Sequence, residues 1–148
     1  MKLEHIHITV NAVIDPSFKA LPKDDAQRFV DKLMKTVKMK PLGPLNWSDA
    51  EDLAFPGQSL IQMITTSHTS LHLFTHADGT NEIYFDLYSC THFDEEKVVK
   101  LLDDTFGLVD WHGVVYQRAT GAKPSVKLIG NKAKEMLIAK PMMASYRN

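Results

Sequence analysis

Cysteine is nearly absent from this chain of 148 residues, and the single thiol, Cys90, excludes an intramolecular disulfide framework. That scarcity fits a reducing compartment, so a cytoplasmic location is expected. Net charge is also nearly absent: 17 basic against 18 acidic side chains leave −1. No basic stripe is available to neutralise phosphates, which argues against nucleic acid or an anionic membrane surface as a partner. Lys32, Lys35, Lys38 and Lys40 do cluster, but the first two interleave with an apolar stripe and read as the solvated face of a helix. No run of eighteen apolar residues exists to span a bilayer, and the N-terminus carries no apolar signal core. Repeats and low-complexity segments are missing too. What is present is ordinary for a globular protein, 44% hydrophobic and 24% charged, in a length that suits one domain over 1–148 with one substantial core.

Periodicity divides the chain into strands and two helices. In Lys2 to Val13, Ile6, Ile8 and Val10 fall on one face and His5, His7 and Thr9 on the other, which predicts a strand. Pro16 and Pro22 frame a loop. From Asp24 to Lys38, Phe29, Val30, Leu33, Met34 and Val37 follow helical spacing, with Asp24 and Asp25 favouring the positive end of the dipole. Pro41, Gly43 and Pro44 end that helix, and a short strand is expected around Leu45 to Trp47. Leu60 to Thr66 is apolar on both parities apart from Gln62, as in a strand covered on both faces. Asp94 to Phe106 reads as a second helix with Gly107 as its C-cap, and Leu108 to Arg118 as another strand. After Gly121 the chain reads as loop, with a short helix from Asn131 to Ala139.

The informative block runs from Gln58 to Cys90. It contains two strand-like runs, Ser70 to His76 and Ile83 to Cys90, joined by His76-Ala77-Asp78-Gly79-Thr80-Asn81, whose Asp-Gly pair has hairpin turn chemistry. Leu71 and Leu73 oppose His72, Phe74 and His76 across the first run. Ile83, Phe85 and Leu87 oppose Tyr84, Asp86, Tyr88 and Cys90 across the second. With the apolar sides against helices, His72 and Cys90 emerge on the opposite face. Strands outnumber helices and hairpins join them, which predicts an α+β two-layer sandwich, a mainly antiparallel sheet with both helices on one side. The uncovered face would carry Phe74, Tyr84 and Tyr88, an aromatic surface suited to a second copy of the chain.

Ser67, with His72 five residues on, Ser59 eight residues before and Cys90 at the end of a later strand, resembles the processing and catalytic segment of the S-adenosylmethionine decarboxylase family. The likeness extends over roughly residues 42 to 120. In that family a serine becomes a pyruvoyl group while the chain is cut in front of it. The resemblance implies cleavage between Thr66 and Ser67, with His72 moving protons during processing, Ser59 assisting, and Cys90 as the catalytic thiol. It also implies a homodimer, an αββα pair whose sites use both protomers. The implied reaction is decarboxylation of S-adenosylmethionine for spermidine synthesis. A pyruvoyl group derived from Ser67 would serve as the electron sink, forming a Schiff base with the substrate nitrogen. Phe74, Tyr84 and Tyr88 could stack on the purine or approach the sulfonium, and Asp86 could meet a positive charge.

The chain departs from the family at several positions. Thr66 replaces the glutamate before the cleaved bond, Leu73-Phe74-Thr75-His76 replaces the tryptophan-proline-glutamate run, and Thr91 replaces a glycine. His76 stands where a glutamate would hold the ribose, and Glu82 is the nearest substitute. Two other readings follow. The chain could be an unprocessed, non-catalytic relative that binds a small ligand. Alternatively, His68, His72 and His76, approached by His5, His7 and His92, could form a zinc or iron(II) centre, and the opening HIHITV of this chain resembles that of the vicinal-oxygen-chelate metalloenzymes. Against the last, a strand spreads residues four apart by roughly 13 Å, too far for one ion.

Overall fold

A computed structural model describes residues 3–51, 54–131 and 137–138. Among these residues eight strands form one antiparallel sheet: β1 (Ile6–Ile14), β2 (Asn46–Ala50), β3 (Gly57–Ile64), β4 (Ser67–Phe74), β5 (Glu82–Ser89), β6 (Leu108–Gln117), β7 (Ser125–Gly130) and β8 (Leu137–Ile138). Their spatial order is β2-β3-β4-β5-β1-β6-β7-β8. The helices α1 (Lys23–Val37) and α2 (Glu95–Phe106) pack on one face of it, so the architecture is the expected α+β sandwich.

Alternation sets the two faces. β1 buries Ile8, Val10, Ala12 and Ile14; β4 buries Leu71 and Leu73; β5 buries Ile83, Phe85 and Leu87. These side chains meet Phe29, Val30 and Leu33 of α1 and Val98, Leu102 and Phe106 of α2 in one core. Phe29 is central, edge-on to both Phe106 and Phe85 with ring centroids 5.4 and 6.2 Å away. Burying such a ring contributes roughly 1.5–3 kcal/mol. Asp94 caps α2, accepting from the Glu96 and Lys97 amides, and Gly107 closes it in the left-handed region as expected.

Three expectations need correction. β3 is covered on one face only: Leu60, Gln62 and Ile64 are buried, but Ile61 is 48% and Met63 59% exposed. Both helices lie on the other side, so the second apolar parity of β3 faces out. The segment after Gly121 is not a loop throughout, because Ser125–Gly130 pairs with β6. In the stretch expected to be a helix, Leu137–Ile138 instead pairs with β7; apart from these two and Asn131, the stretch lies outside the described residues.

The start of β3 depends on a missing side chain. Gly57 has φ +152°, and a Cβ there would lie 1.7 Å from the Leu73 carbonyl oxygen. Gly57→Ala must therefore push β3 from β4, and a loss of about 3 kcal/mol or more is expected in urea unfolding. A loss below 1 kcal/mol, on the order of an ordinary surface substitution, would contradict this packing.

Candidate active site

Helices leave the outer face of the sheet uncovered, and the chemically able side chains collect there in three groups along β4 and β5. The first sits at the β3–β4 turn. β3 and β4 are joined by Thr65 and Thr66 alone, with Ile64 paired to Ser67. Thr66 takes φ +58°, an unfavourable conformation for a β-branched residue that costs on the order of 1–3 kcal/mol. Ser67, on the buried parity, accepts a hydrogen bond at its Oγ from the Cys90 amide at 3.1 Å. The Thr66 hydroxyl donates to the Thr65 carbonyl at 2.7 Å and lies 3.0 Å from the Cys90 sulfur. With its one proton so engaged, it leaves the thiol as donor in the second contact.

The backbone next to Cys90 is unusual as well. The Cys90 carbonyl accepts from the amides of Glu4 and His5 at 2.9 and 3.4 Å. His5 has φ +52°, and its Nδ1 meets the Tyr88 hydroxyl. Among the described residues, three non-glycines have positive φ; Lys38 caps α1, and the other two, His5 and Thr66, adjoin Cys90. Strained residues persist where the surroundings hold them, and they gather at functional sites.

The second group is a polar network across β1, β4 and β5. Asp86 accepts from Ser70 at Oδ1, through both the amide and the hydroxyl. Its Oδ2 lies 2.8 Å from His7 Nε2 and 3.5 Å from His68 Nε2. Arg118 approaches His7 Nδ1 at 3.1 Å and lies over the Tyr88 ring, 4.8 Å from its centroid. Burial pushes the Asp86 carboxyl up, but the His7 and Ser70 hydrogen bonds, joined by the attraction of His7 and His68 whenever those rings are protonated, prevail and leave its pKa below the usual value.

A depressed carboxylate pKa stabilises the fold above the unfolded value of about 4 and loses that contribution as pH falls through the folded value. Asp86→Asn should thus cost about 1–3 kcal/mol at neutral pH, the worth of hydrogen bonds to a charged group. The gap to the unsubstituted protein should narrow below pH 4. Urea midpoints measured from pH 7 to pH 3 check this, and a gap that widened with acid would contradict it.

The third group lies at the far end. His72 Nδ1 and Ser59 Oγ are 2.7 Å apart across the β3–β4 pair. Beside them a shallow cavity of about 420 Å³ is lined by His72, Phe74, His76, Glu82 and Tyr84. Phe74 and Tyr84 meet edge to face at 5.6 Å, and His76 Nε2 lies 2.8 Å from Glu82 Oε2.

Apart from Ser67, which lies on the buried parity, the expected residues are on the outer face but divided among these groups. Ser59 and His72 are together, as are Ser67 and Cys90. His72, however, has the opposite parity to Ser67 and lies five residues along the strand, roughly 16 Å. It is also far from Cys90: His72 pairs with Tyr84, six residues before Cys90 and so roughly 20 Å from it. Phe74, Tyr84 and Glu82 adjoin His72, whereas Asp86 and Tyr88 belong to the middle. The spacing of histidines along β4 does not bring His68, His72 and His76 together either. They engage Asp86, Ser59 and Glu82 respectively, and His92 engages Glu4. Sequence reasoning missed Ser70 and Arg118 altogether. Parity placed Ser70 beside Asp86's face, but nothing local marked Arg118.

Comparison with known proteins bears on this arrangement. The S-adenosylmethionine decarboxylase family model matches residues 7–119. The chain belongs to that family. Among solved structures, the crystal structure of the adenosylmethionine decarboxylase from Aquifex aeolicus VF5 superposes with a TM-score of 0.62 at 14% identity, covering 80% of this chain and 93% of that one. At that identity the likeness establishes the shared fold. No curated protein matches. The family is one of decarboxylases, which places the chain among lyases by kinship. Among the described residues no helix is long and apolar enough to cross a membrane.

Proposed function

We propose that the chain is a self-processing, pyruvoyl-dependent decarboxylase of S-adenosylmethionine, supplying the aminopropyl donor for spermidine synthesis and acting as a homodimer in the cytoplasm. The observation that carries this is the turn itself: Ser67 follows a strained Thr66, with its hydroxyl held by the Cys90 amide and the Cys90 thiol beside Thr66. In processing, the Ser67 hydroxyl attacks the Thr66 carbonyl carbon and the Ser67 nitrogen departs with a proton, turning the amide into an ester. Opening the Thr66–Ser67 amide removes the tether that holds Thr66 in the left-handed region. A base then takes the Ser67 Cα proton, and Thr66 leaves as a carboxylate. The dehydroalanine left behind tautomerises, and water releases ammonia to give the keto terminus. That terminus, once formed, withdraws electrons from a bound amine.

Histidine suits the proton transfers, yet His72 of the same chain is too far from Ser67. A second copy laid face to face across a two-fold axis near Ser70 and Asp86 exchanges the two ends. In such a pair the partner subunit's His72 and the partner subunit's Ser59 would come to the end of the sheet that holds the Thr66–Ser67 turn and Cys90, with the partner subunit's Phe74 and the partner subunit's Tyr84 beside them for the purine. The exposed Ile61, Met63 and Tyr84 give this contact its apolar area.

Intact-mass measurement tests the proposal. Two fragments meeting between Thr66 and Ser67, the second trapped by phenylhydrazine, are expected, and Ser67→Ala should remain one chain. An uncut, well-folded protein would instead support a non-catalytic ligand-binding relative. That reading is favoured by Thr66 in place of glutamate and by His76 at the position where a glutamate would hold the ribose.

A further inference from the structure

We infer that His7, His68 and Asp86 form a binding site for a divalent transition-metal ion on the outer face of the sheet, with Arg118 as its internal competitor. One ligand atom from each of the three residues lies within 4.8 Å of the other two. They come from β1, β4 and β5, three adjacent strands paired in fixed register, so the cluster is held by the backbone ladder. His7 stands opposite Tyr88 on β5, and His68 stands opposite the same Tyr88 from the other side. The two imidazoles therefore flank one strand at one level. Two imidazoles and a carboxylate with open positions suit zinc, cobalt(II) or iron(II).

The surroundings of the carboxylate are those of a ligand. Ser70 takes Oδ1 through its amide and hydroxyl, which leaves Oδ2 turned toward both rings. Such outer partners orient a coordinating oxygen and commonly change affinity by about 10–100-fold. In the single chain side-chain exposure is 19% for His7, 45% for His68 and 22% for Asp86, and in the face-to-face pair proposed above the site lies at the contact between the two copies.

Arg118 works against coordination. A guanidinium can only donate, so its 3.1 Å contact makes His7 Nδ1 the acceptor and puts the ring proton on Nε2, the nitrogen facing Asp86. An ion at Nε2 requires the other tautomer, with the proton on Nδ1 facing Arg118. Arg118, exposed in the single chain, must swing away for the ion to enter. The site thus has two states, closed by a hydrogen-bonded proton or occupied by a metal.

Equilibrium dialysis of tag-free protein against Zn²⁺, with Co²⁺ visible spectra, tests this. Saturable binding of one ion per chain in the micromolar range is expected. His68→Gln and Asp86→Asn should each weaken it by at least about tenfold, and Ser70→Ala by about tenfold. Arg118→Ala should tighten it several-fold, a gain that misfolding cannot mimic. Absence of saturable binding, binding indifferent to His68→Gln and Asp86→Asn, or weaker binding in Arg118→Ala would each overturn the assignment. Ser67→Ala protein should bind as well as the parent, so the outcome is independent of whether the chain cuts itself.

Discussion

Made alone, His72→Ala chains will stay whole; co-expressed with Ser67→Ala chains, a large share of them will be cut. The expectation follows from distance. Ser67 and His72 occupy opposite parities of β4, five residues apart, and no side-chain rotation spans roughly 16 Å. If His72 serves Ser67 at all, it serves the Ser67 of another copy. In a mixed dimer the His72→Ala chain offers an intact Ser67 to an intact His72 on the Ser67→Ala chain, and one of the two sites is complete. Only the His72→Ala chain can be cut there. The isologous contact that this requires uses the same patch on both copies. Intact mass of the co-purified, differently tagged chains gives the readout. Should His72→Ala chains cut themselves normally without a helper, His72 would have no part in processing. Should they remain whole even in mixed dimers, the shared-site arrangement would fail while the fold stood.

Most of the scaffold behind this argument was legible in the sequence, because alternation and helical spacing report which side chains avoid water. Ile8 and Val10 against His7, or Leu71 and Leu73 against His72, needed only the two-residue repeat of a strand. The Asp-Gly hairpin was legible from turn chemistry, and Gly79 indeed takes φ +83°. β7 was not, because Pro124 and the lysines around it resemble loop composition, and its pairing with β6 is a tertiary preference. Ile61 and Met63 misled for a related reason: apolar residues on both parities suggest two covering layers, and among the described residues only one exists.

The site was legible in part. Spacing identified Ser59, Ser67, His72 and Cys90, but spacing along a strand carries no information about which copy of a chain supplies each group. Parity could have warned that Ser67 and His72 point apart. The left-handed Thr66 and His5 left no mark in the sequence, since neither residue type signals positive φ as glycine would. Arg118 entered the network only because β1 pairs with both β5 and β6, which carries the end of β6 past His7.

Cys90→Ala will separate self-cleavage from turnover. Ser67 is held by the backbone amide of residue 90, which alanine retains, so the hydroxyl keeps its position for attack on Thr66. The thiol contributes one contact there, 3.0 Å to the Thr66 hydroxyl, and Thr66 ceases to be linked to Ser67 once the chain is cut. Cleavage should therefore proceed to completion. Turnover is different, because the carbon that loses carbon dioxide must receive a proton from a positioned donor. General acids of this kind are worth about 10²–10⁴-fold. The Cys90 thiol, donating toward Thr66 in the uncut chain, is freed to act as that donor when Thr66 becomes a chain end. Release of labelled carbon dioxide from carboxyl-labelled S-adenosylmethionine should fall by that factor in fully cut Cys90→Ala protein. Undiminished release would remove the thiol from the reaction, and a Cys90→Ala chain that failed to cut would show that the side chain, and not the amide, sets the Ser67 geometry.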